Sequence, residues 1–145
     1  IAGYCNKRNI VYTRYADDMT FSGDDFNVRN LINYIGMIVG KRKFKLNEKK
    51  TKVMGQGTVQ RVTGVVVNKK LQVSKSYRDK VRQEIYYSIK YGFADHVRHI
   101  ALPGWIQTPE VYRNHLLGKV NYILQINPKD EEFIKYAKWL KDDGA

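Results

Sequence analysis

One cysteine in 145 residues, Cys5, has no partner within the chain, so no internal disulfide framework exists. Cys5 is expected to pack as a small hydrophobe or to sit near the surface. Histidine is nearly as scarce, with three in all. His96 and His99 flank Val97-Arg98 but have no further ligand type close by, which favours a structural role over a zinc site. No run of eighteen apolar residues occurs, which excludes an ordinary transmembrane helix, and nothing resembles a signal peptide. A soluble, intracellular protein with no membrane partner is therefore expected. Internal repeats and low-complexity linkers are missing too. Acid is in short supply: 14 aspartates and glutamates face 26 lysines and arginines, for a net charge of +12 and a pI near 9.8. A polyanion is the economical partner for such a chain. With 43% apolar residues there is enough for a core, and the length suits one domain or two small subdomains.

What is present centres on residues 10–22. Residues 10–15 (Ile-Val-Tyr-Thr-Arg-Tyr) and 19–22 (Met-Thr-Phe-Ser) are rich in β-branched and aromatic types and read as strands. Ala16-Asp17-Asp18 between them is short enough for a hairpin tip. In a straight strand neighbouring side chains point to opposite faces. A tight turn breaks that alternation, so both carboxylates can approach one pole. Asp17 and Asp18 are hard oxygen donors suited to Mg²⁺, which keeps several waters and is shared between one or two carboxylates and substrate phosphates. Two such ions a few ångströms apart would serve a phosphoryl displacement. Taken without its flanks, an Asp-Asp pair in a turn is more simply solvated turn chemistry.

Further along, Asp24 or Asp25 is the expected N-cap of an amphipathic helix over residues 25–39, with Val28, Leu31, Ile32, Ile35 and Ile38 or Val39 at helical spacing and Gly40 as its stop. Residues 41–52 hold seven basic residues and one acid. Short strands are expected around Phe44 and Leu46 and over residues 51–54, with a turn at residues 47–50. Residues 58–67 read as a strand interrupted by Gly64, at a bulge or a close backbone approach, and residues 71–73 as its hairpin partner after a turn at residues 68–70. Arg61, Lys69 and Lys70 are placed to meet phosphates. Three helices are expected to follow. The first is capped by Ser74 or Ser76, carries an apolar row of Val81, Ile85 and Ile89, and ends at Gly92. Lys75, Arg78, Lys80 and Arg82 crowd its start, where basic charge opposes the helix dipole. Local helix stability does not explain them, whereas contact with a nucleic-acid backbone does. Whether Tyr86, Tyr87 and Tyr91 pack in the core or sit beside sugars stays open. After a loop holding Pro103-Gly104-Trp105, Thr108-Pro109-Glu110 opens a second helix with Val111, Tyr112, Leu116, Val120 and Ile123 or Leu124 inward. Gly118 within it suggests a close approach, by another helix in preference to a nucleic acid. Asn127-Pro128 opens the third, with Phe133, Ile134, Ala137 and Leu140 buried. Four lysines and five acids lie between Lys129 and Asp143, so the basic excess is elsewhere.

Tyr15-Ala16-Asp17-Asp18 between apolar strand residues resembles the metal-binding hairpin of reverse transcriptases, and the longer string from Tyr12 to Gly23 is similar to the form in bacterial retron reverse transcriptases. Leu46-Asn47-x-x-Lys50-Thr51, Val62-Thr63-Gly64, Gly118-Lys119-Val120-Asn121-Tyr122 and Gln125-Ile126-Asn127-Pro128 resemble the same family in the same order. The resemblance covers nearly all of residues 10–140. It implies an α+β fold: part of a polymerase palm, antiparallel strands plus one helix, over residues 1–74, and a three-helix thumb over residues 75–145. It implies Asp17 and Asp18 as ligands of Mg²⁺, two ions in the complete enzyme, with Tyr15 and Ala16 beside the nucleotide or primer end. Lys50 would protonate the leaving pyrophosphate, with Lys49 and Lys52 close by. Val62, Thr63 and Gly64 would belong to a primer grip. The first thumb helix would track a minor groove through Lys75, Arg78, Lys80 and Arg82.

By the same resemblance the full enzyme extends DNA on an RNA template from deoxynucleoside triphosphates in the bacterial cytoplasm, holding an RNA–DNA hybrid. The chain starts at Ile1 with the hairpin almost at its beginning, so a C-terminal portion of a longer protein is expected. The family's fingers and its upstream palm aspartate are not found here, and the portion alone is expected to bind nucleic acid without polymerising. Two alternatives stand beside this reading. One is a non-catalytic basic RNA- or DNA-binding module whose acids are structural. The other is a group II intron or defence-associated relative, against which Val62-Thr63-Gly64 speaks.

Overall fold

In the computed structural model, residues 1–100, 104, 106 and 108–142 are described. Their architecture is α+β, with two antiparallel two-stranded sheets and five helices. The chain forms two compact units, Ile1–Thr58 and Val59–Ala145. The hairpin of residues 61–66, assigned to the palm from the sequence, thus clusters with the helices.

The first unit is built on strand alternation. A short helix α1 (Ala2–Asn6), not expected from the sequence, leads to β1 (Val11–Tyr15) and β2 (Asp18–Ser22). The register pairs Tyr12 with Phe21, Thr13 with Thr20 and Tyr15 with Asp18. One face therefore carries Tyr12, Met19 and Phe21, which pack against buried Cys5, Ile10, Leu31 and Ile35. The Tyr12 and Phe21 rings stack with centroids 5.0 Å apart, a cross-strand pair that fixes the register. Cys5 is a core hydrophobe. The opposite face holds Val11, Thr13, Tyr15 and Asp18, all exposed.

Helix α2 (Val28–Lys41) begins later than residue 25. Asn27, not Asp24 or Asp25, is its cap, the Oδ1 accepting the Asn30 amide at 2.9 Å. Phe26, just before it, packs against the core of this unit and so fixes where the helix enters. Gly40 does not stop it. The amides of Lys43 and Phe44 instead donate to the carbonyls of Gly40 and Val39, a Schellman closure with Lys43 in the left-handed position at φ 62°. No strand forms at Phe44–Leu46 or at residues 51–54. Phe44 and Val53 lie open to solvent with no strand beside them, whereas Leu46 packs against the core.

In the second unit the long strand expected over residues 58–67 is instead a tight hairpin. β3 (Arg61–Val62) pairs with β4 (Val65–Val66), and Gly64 belongs to the turn between them, not to a bulge. Residues 71–73 return as one bridge, Val66 to Gln72. Helix α3 (Lys75–His99) is capped by Ser74, whose hydroxyl accepts the Tyr77 amide, and is broken at Gly92 (φ 76°, ψ 158°) before resuming. Helix α4 (Pro109–Ile126) is capped by Thr108 as its sequence demands. Pro103 and Trp105 lie outside the described residues. Helix α5 (Glu131–Asp142) starts after the Asn127-Pro128 turn, with the Asp130 carbonyl accepting the Ile134 amide.

Helix α4 packs against both α3 and α5. Val81, Ile85, Tyr112, Leu116, Val120, Ile123, Phe133 and Leu140 form the core. Ile89 is exposed and Ser88 buried in its place. Eight residues from Val81 overshoot two helical turns by about 80°, which carries Ile89 off the inward face. Val111 and Ile134 are likewise partly exposed. At Gly118 an added methyl group would meet nothing within 4 Å among the described residues, so the close approach expected there is not made by them.

Candidate active site and nucleic-acid surface

The tip between β1 and β2 is two residues, Ala16 and Asp17, because Asp18 is already paired with Tyr15. Ala16 stands at φ 51° and Asp17 on the ordinary side, the φ signs of a type II′ turn. Such turns match the right-handed twist of a hairpin, but they favour glycine at the first position. Alanine there holds about 1–2 kcal/mol of backbone strain. Tyr15, Ala16, Asp17 and Asp18 are all exposed, Tyr15 to 75%. Neither carboxylate has an ion pair or side-chain hydrogen bond among the described residues. Asp18 begins the solvent face of β2, and Asp17 is the turn residue just before it.

The Leu46-Asn47-x-x-Lys50-Thr51 stretch closes on itself. Asn47 Oδ1 accepts the Lys50 amide at 3.2 Å, and the Asn47 carbonyl accepts both the Thr51 amide and the Thr51 hydroxyl at 3.0 Å. Leu46 anchors this turn on the core of its unit. Lys50 is presented on it, exposed, with Lys49 and Lys52 beside it. None of the seven basic residues in 41–52 makes an ion pair among the described residues.

Val62-Thr63-Gly64 forms the second tight turn. Thr63 at φ 47° and Gly64 at φ 89° give the sign pattern of type I′, which asks for positive φ twice. A β-branched residue there is an outlier. Both hairpin tips in motifs singled out from the sequence thus carry one strained non-glycine residue. Arg61 and Lys69 are exposed near this hairpin. Lys70 lines a cleft of about 520 Å³ with Lys129, Lys135 and the carboxylates of Asp130, Glu131 and Glu132.

The basic start of α3 divides in two. Arg78 donates to both Asp130 oxygens and, at 2.9 Å, to Glu132, and its guanidinium lies over the Phe133 ring. Arg82 grips Glu132 through Nε and, at 2.8 Å, through a terminal nitrogen, and reaches Asp79 at 2.6 Å. These hydrogen bonds, Arg82's first, hold the Glu132 carboxyl down at about 2 despite its partial burial. The arginines thus lock α3 to the start of α5, a cause that reasoning within one helix left out. Lys75 and Lys80 stay exposed and unpaired among the described residues.

The chain is 32% identical over 133 residues, 91% of its length, to the retron Mx65 reverse transcriptase of Myxococcus xanthus. It is 30% identical over 108 residues to the retron Ec86 reverse transcriptase of Escherichia coli and 34% identical over 97 residues to the retron Mx162 reverse transcriptase of M. xanthus. The chain is a relative of the retron reverse transcriptases. It spans 28%, 33% and 20% of the lengths of these three relatives. No family model matches it, and no solved structure does.

For this retron reverse transcriptase relative, the fit of a divalent cation can be judged from donor chemistry. Among the described residues no group of three or more histidine, cysteine, aspartate or glutamate side chains gathers to cage a metal. Two exposed carboxylates with no ion pair among the described residues suit an ion that completes its shell with water and substrate phosphates, as Mg²⁺ does. The chain's own residues therefore fit a shared ion and not a fully protein-held one. No helix among the described residues is long and apolar enough to cross a membrane. The tyrosines of α3, core or surface by sequence alone, divide between the two. Tyr87 is half-buried, while Tyr86 and Tyr91 are more than half exposed.

Proposed function

We propose that this chain carries the metal-binding hairpin and the nucleic-acid-holding helices of a retron-type, RNA-directed DNA polymerase, with residues from the first unit serving as palm and α3, α4 and α5 as thumb. The observation that carries the reading is the β1–β2 tip. A strained turn holds Asp17 and Asp18 exposed, next to each other and unneutralised, on a hairpin whose other face is anchored in a core. Strain of this kind persists where surrounding structure over-determines it, and it clusters at functional sites.

In this reading Asp17 and Asp18 hold Mg²⁺ against the phosphates of an incoming deoxynucleoside triphosphate. The ion, when bound, lowers the charge barrier to displacement at the α-phosphorus. Tyr15 and Ala16 flank the nucleotide or the primer end. Lys50, fixed by the Asn47 turn, supplies a proton to the leaving pyrophosphate. Val62, Thr63 and Gly64 hold the primer strand, and Arg61, Lys69, Lys70, Lys75 and Lys80 meet backbone phosphates. Arg78 and Arg82 serve the thumb by bracing α3 against α5.

The test is primer extension on an RNA template by the longer protein that contains this chain. Asp17→Asn and Asp18→Asn are expected to lower the rate on the order of 100-fold or more, as loss of a transition-state charge stabiliser does. Template binding is expected to stay within about twofold, since neither aspartate makes a phosphate contact without the ion. Unchanged synthesis refutes the metal role. Asp17 and Asp18 would then be ordinary turn residues on a basic nucleic-acid-binding portion of the longer protein.

A further inference from the structure

The aromatic end of α3's straight segment has no part in the site described so far. Tyr86, Ile89 and Tyr91 are each more than half exposed there, around Lys90. Apolar and aromatic side chains on a solvent face ask for an occupant. Their arrangement is not loose. Tyr87 forms a half-buried floor, stacked on buried His96 at 5.9 Å and on Tyr91 at 6.0 Å with planes 17° apart. Tyr86 meets the edge of Tyr87 at 5.4 Å. The Lys90 ammonium lies 5.0 Å from the Tyr91 ring centre and 5.9 Å from that of Tyr86. The tyrosines on either side, Tyr91 first, keep it protonated above its ordinary value. The break at Gly92 follows at once and ends the helical row at Tyr91.

The charge around this cluster is one-sided. Of the acids on α3, Asp79 is paired with Arg82, Glu84 with Lys119 at 2.7 Å and Asp95 with Arg98 at 3.2 Å. Lys80 and Lys90, on the exposed side, have no acid partner among the described residues. A platform of flat rings with ammonium groups that no acid neutralises among the described residues fits a ligand that alternates π-faces and phosphates. A duplex hides its base faces and offers only groove edges and backbone. A second copy of the chain brings the same positive charge, which opposes self-association.

We infer that Tyr86, Lys90 and Tyr91 form a stacking platform for unpaired nucleotides, with Lys90 on an adjoining phosphate. The inference rests on the nucleic-acid reading above and deepens it. It assigns to α3, beyond backbone contacts at its start, a site at the end of its straight segment that takes single-stranded polynucleotide through its bases.

The experiment is fluorescence anisotropy on the intact chain. The probes are a labelled oligouridylate about a dozen nucleotides long, within the range one small domain covers, an abasic oligomer of equal length and charge, and a blunt RNA duplex. Tyr86→Ala and Tyr91→Ala are each expected to weaken oligouridylate binding about fivefold or more, and to leave the abasic oligomer and the duplex within about twofold. Tyr86→Phe and Tyr91→Phe keep the ring and are expected to bind as the parent does. Lys90→Gln weakens the oligouridylate and abasic oligomers alike. Both alanine variants remove exposed side chains, and the phenylalanine pair controls for any loss of fold. Equal losses on the abasic oligomer or on the duplex overturn the inference, because the contact is then to backbone. So does tyrosine-dependent dimerisation of the chain with RNA binding unchanged. Tight parent binding that is indifferent to both tyrosines sinks the platform alone, whereas a parent that binds none of the three probes sinks the wider nucleic-acid reading with it.

Discussion

Acidification should unlatch α3 from α5, by an amount set by Glu132. That carboxylate accepts hydrogen bonds from Arg82 Nε, a terminal nitrogen of Arg82, Arg78 and the Tyr136 hydroxyl. Arg82's hydrogen bonds are the largest cause of a fall from 4.5 to about 2, followed by an opposing burial cost and then Arg78. A folded-state value below the unfolded one means that the unfolded chain binds the extra proton more readily. Stability from this group is therefore complete above about 4.5 and is lost as pH falls toward about 2. Linkage sets an upper limit of about 3 kcal/mol. Glu132 is 33% exposed, so solvent screening lowers the expected value to roughly 1–2 kcal/mol. Both tryptophans come after residue 58 in the sequence, and Trp139 stacks on Phe93 at 5.3 Å within the second unit. Urea unfolding followed by tryptophan fluorescence thus reports on that unit alone. Glu132→Gln should be less stable than the parent by that amount near neutral pH, and the gap should close across the acid window. Parallel curves for parent and variant through that window would refute the reasoning.

Three smaller perturbations test the backbone account. Ala16→Gly should relieve the turn strain and, net of the added unfolded-state freedom, stabilise the β1–β2 hairpin by about 0.5–1 kcal/mol, seen as slower amide exchange in the strands. Faster exchange would mean that alanine sits there without strain. Thr63→Gly should act alike on the β3–β4 hairpin for the same reason, with an effect of similar size on its exchange. Gly118→Ala should raise the stability of the second unit by about 1 kcal/mol, since the site is an open helix interior with room for a methyl group. A loss measured by tryptophan fluorescence would contradict that.

Some of this was legible from residue order, for reasons that are local. Thr108-Pro109-Glu110 and Ser74 cap their helices with their own side chains, and the β1–β2 hairpin follows from β-branched and aromatic runs around a short polar link. The retron resemblance rested on such local strings and agrees with the relatives found. What was missed depended on partners distant in the chain. Arg78 and Arg82 read as phosphate ligands on α3 alone, because Asp130 and Glu132 lie about fifty positions away in the sequence. The strand expected over residues 58–67 is a tight hairpin, because Thr63 and Gly64 both take positive φ and turn the chain where a bulge or a close backbone approach was expected. Asn27 displaced Asp24 and Asp25 as cap because Phe26 is drawn into a core that no local pattern specifies. The exposure of Tyr86 and Tyr91 was likewise open from spacing, since three tyrosines within six residues point to different sides of α3 and their order does not say which sides other helices cover.

The central claim is that Asp17 and Asp18 together bind a divalent cation, and paramagnetic broadening tests it on this chain directly. Manganese(II) titrated into the isotopically labelled protein should first broaden the amide signals of Tyr15, Ala16, Asp17, Asp18 and Met19. Excess Mg²⁺ should reverse the effect, and Asp17→Asn combined with Asp18→Asn should abolish it. Broadening that begins elsewhere, or that persists at the hairpin after both substitutions, would contradict the account.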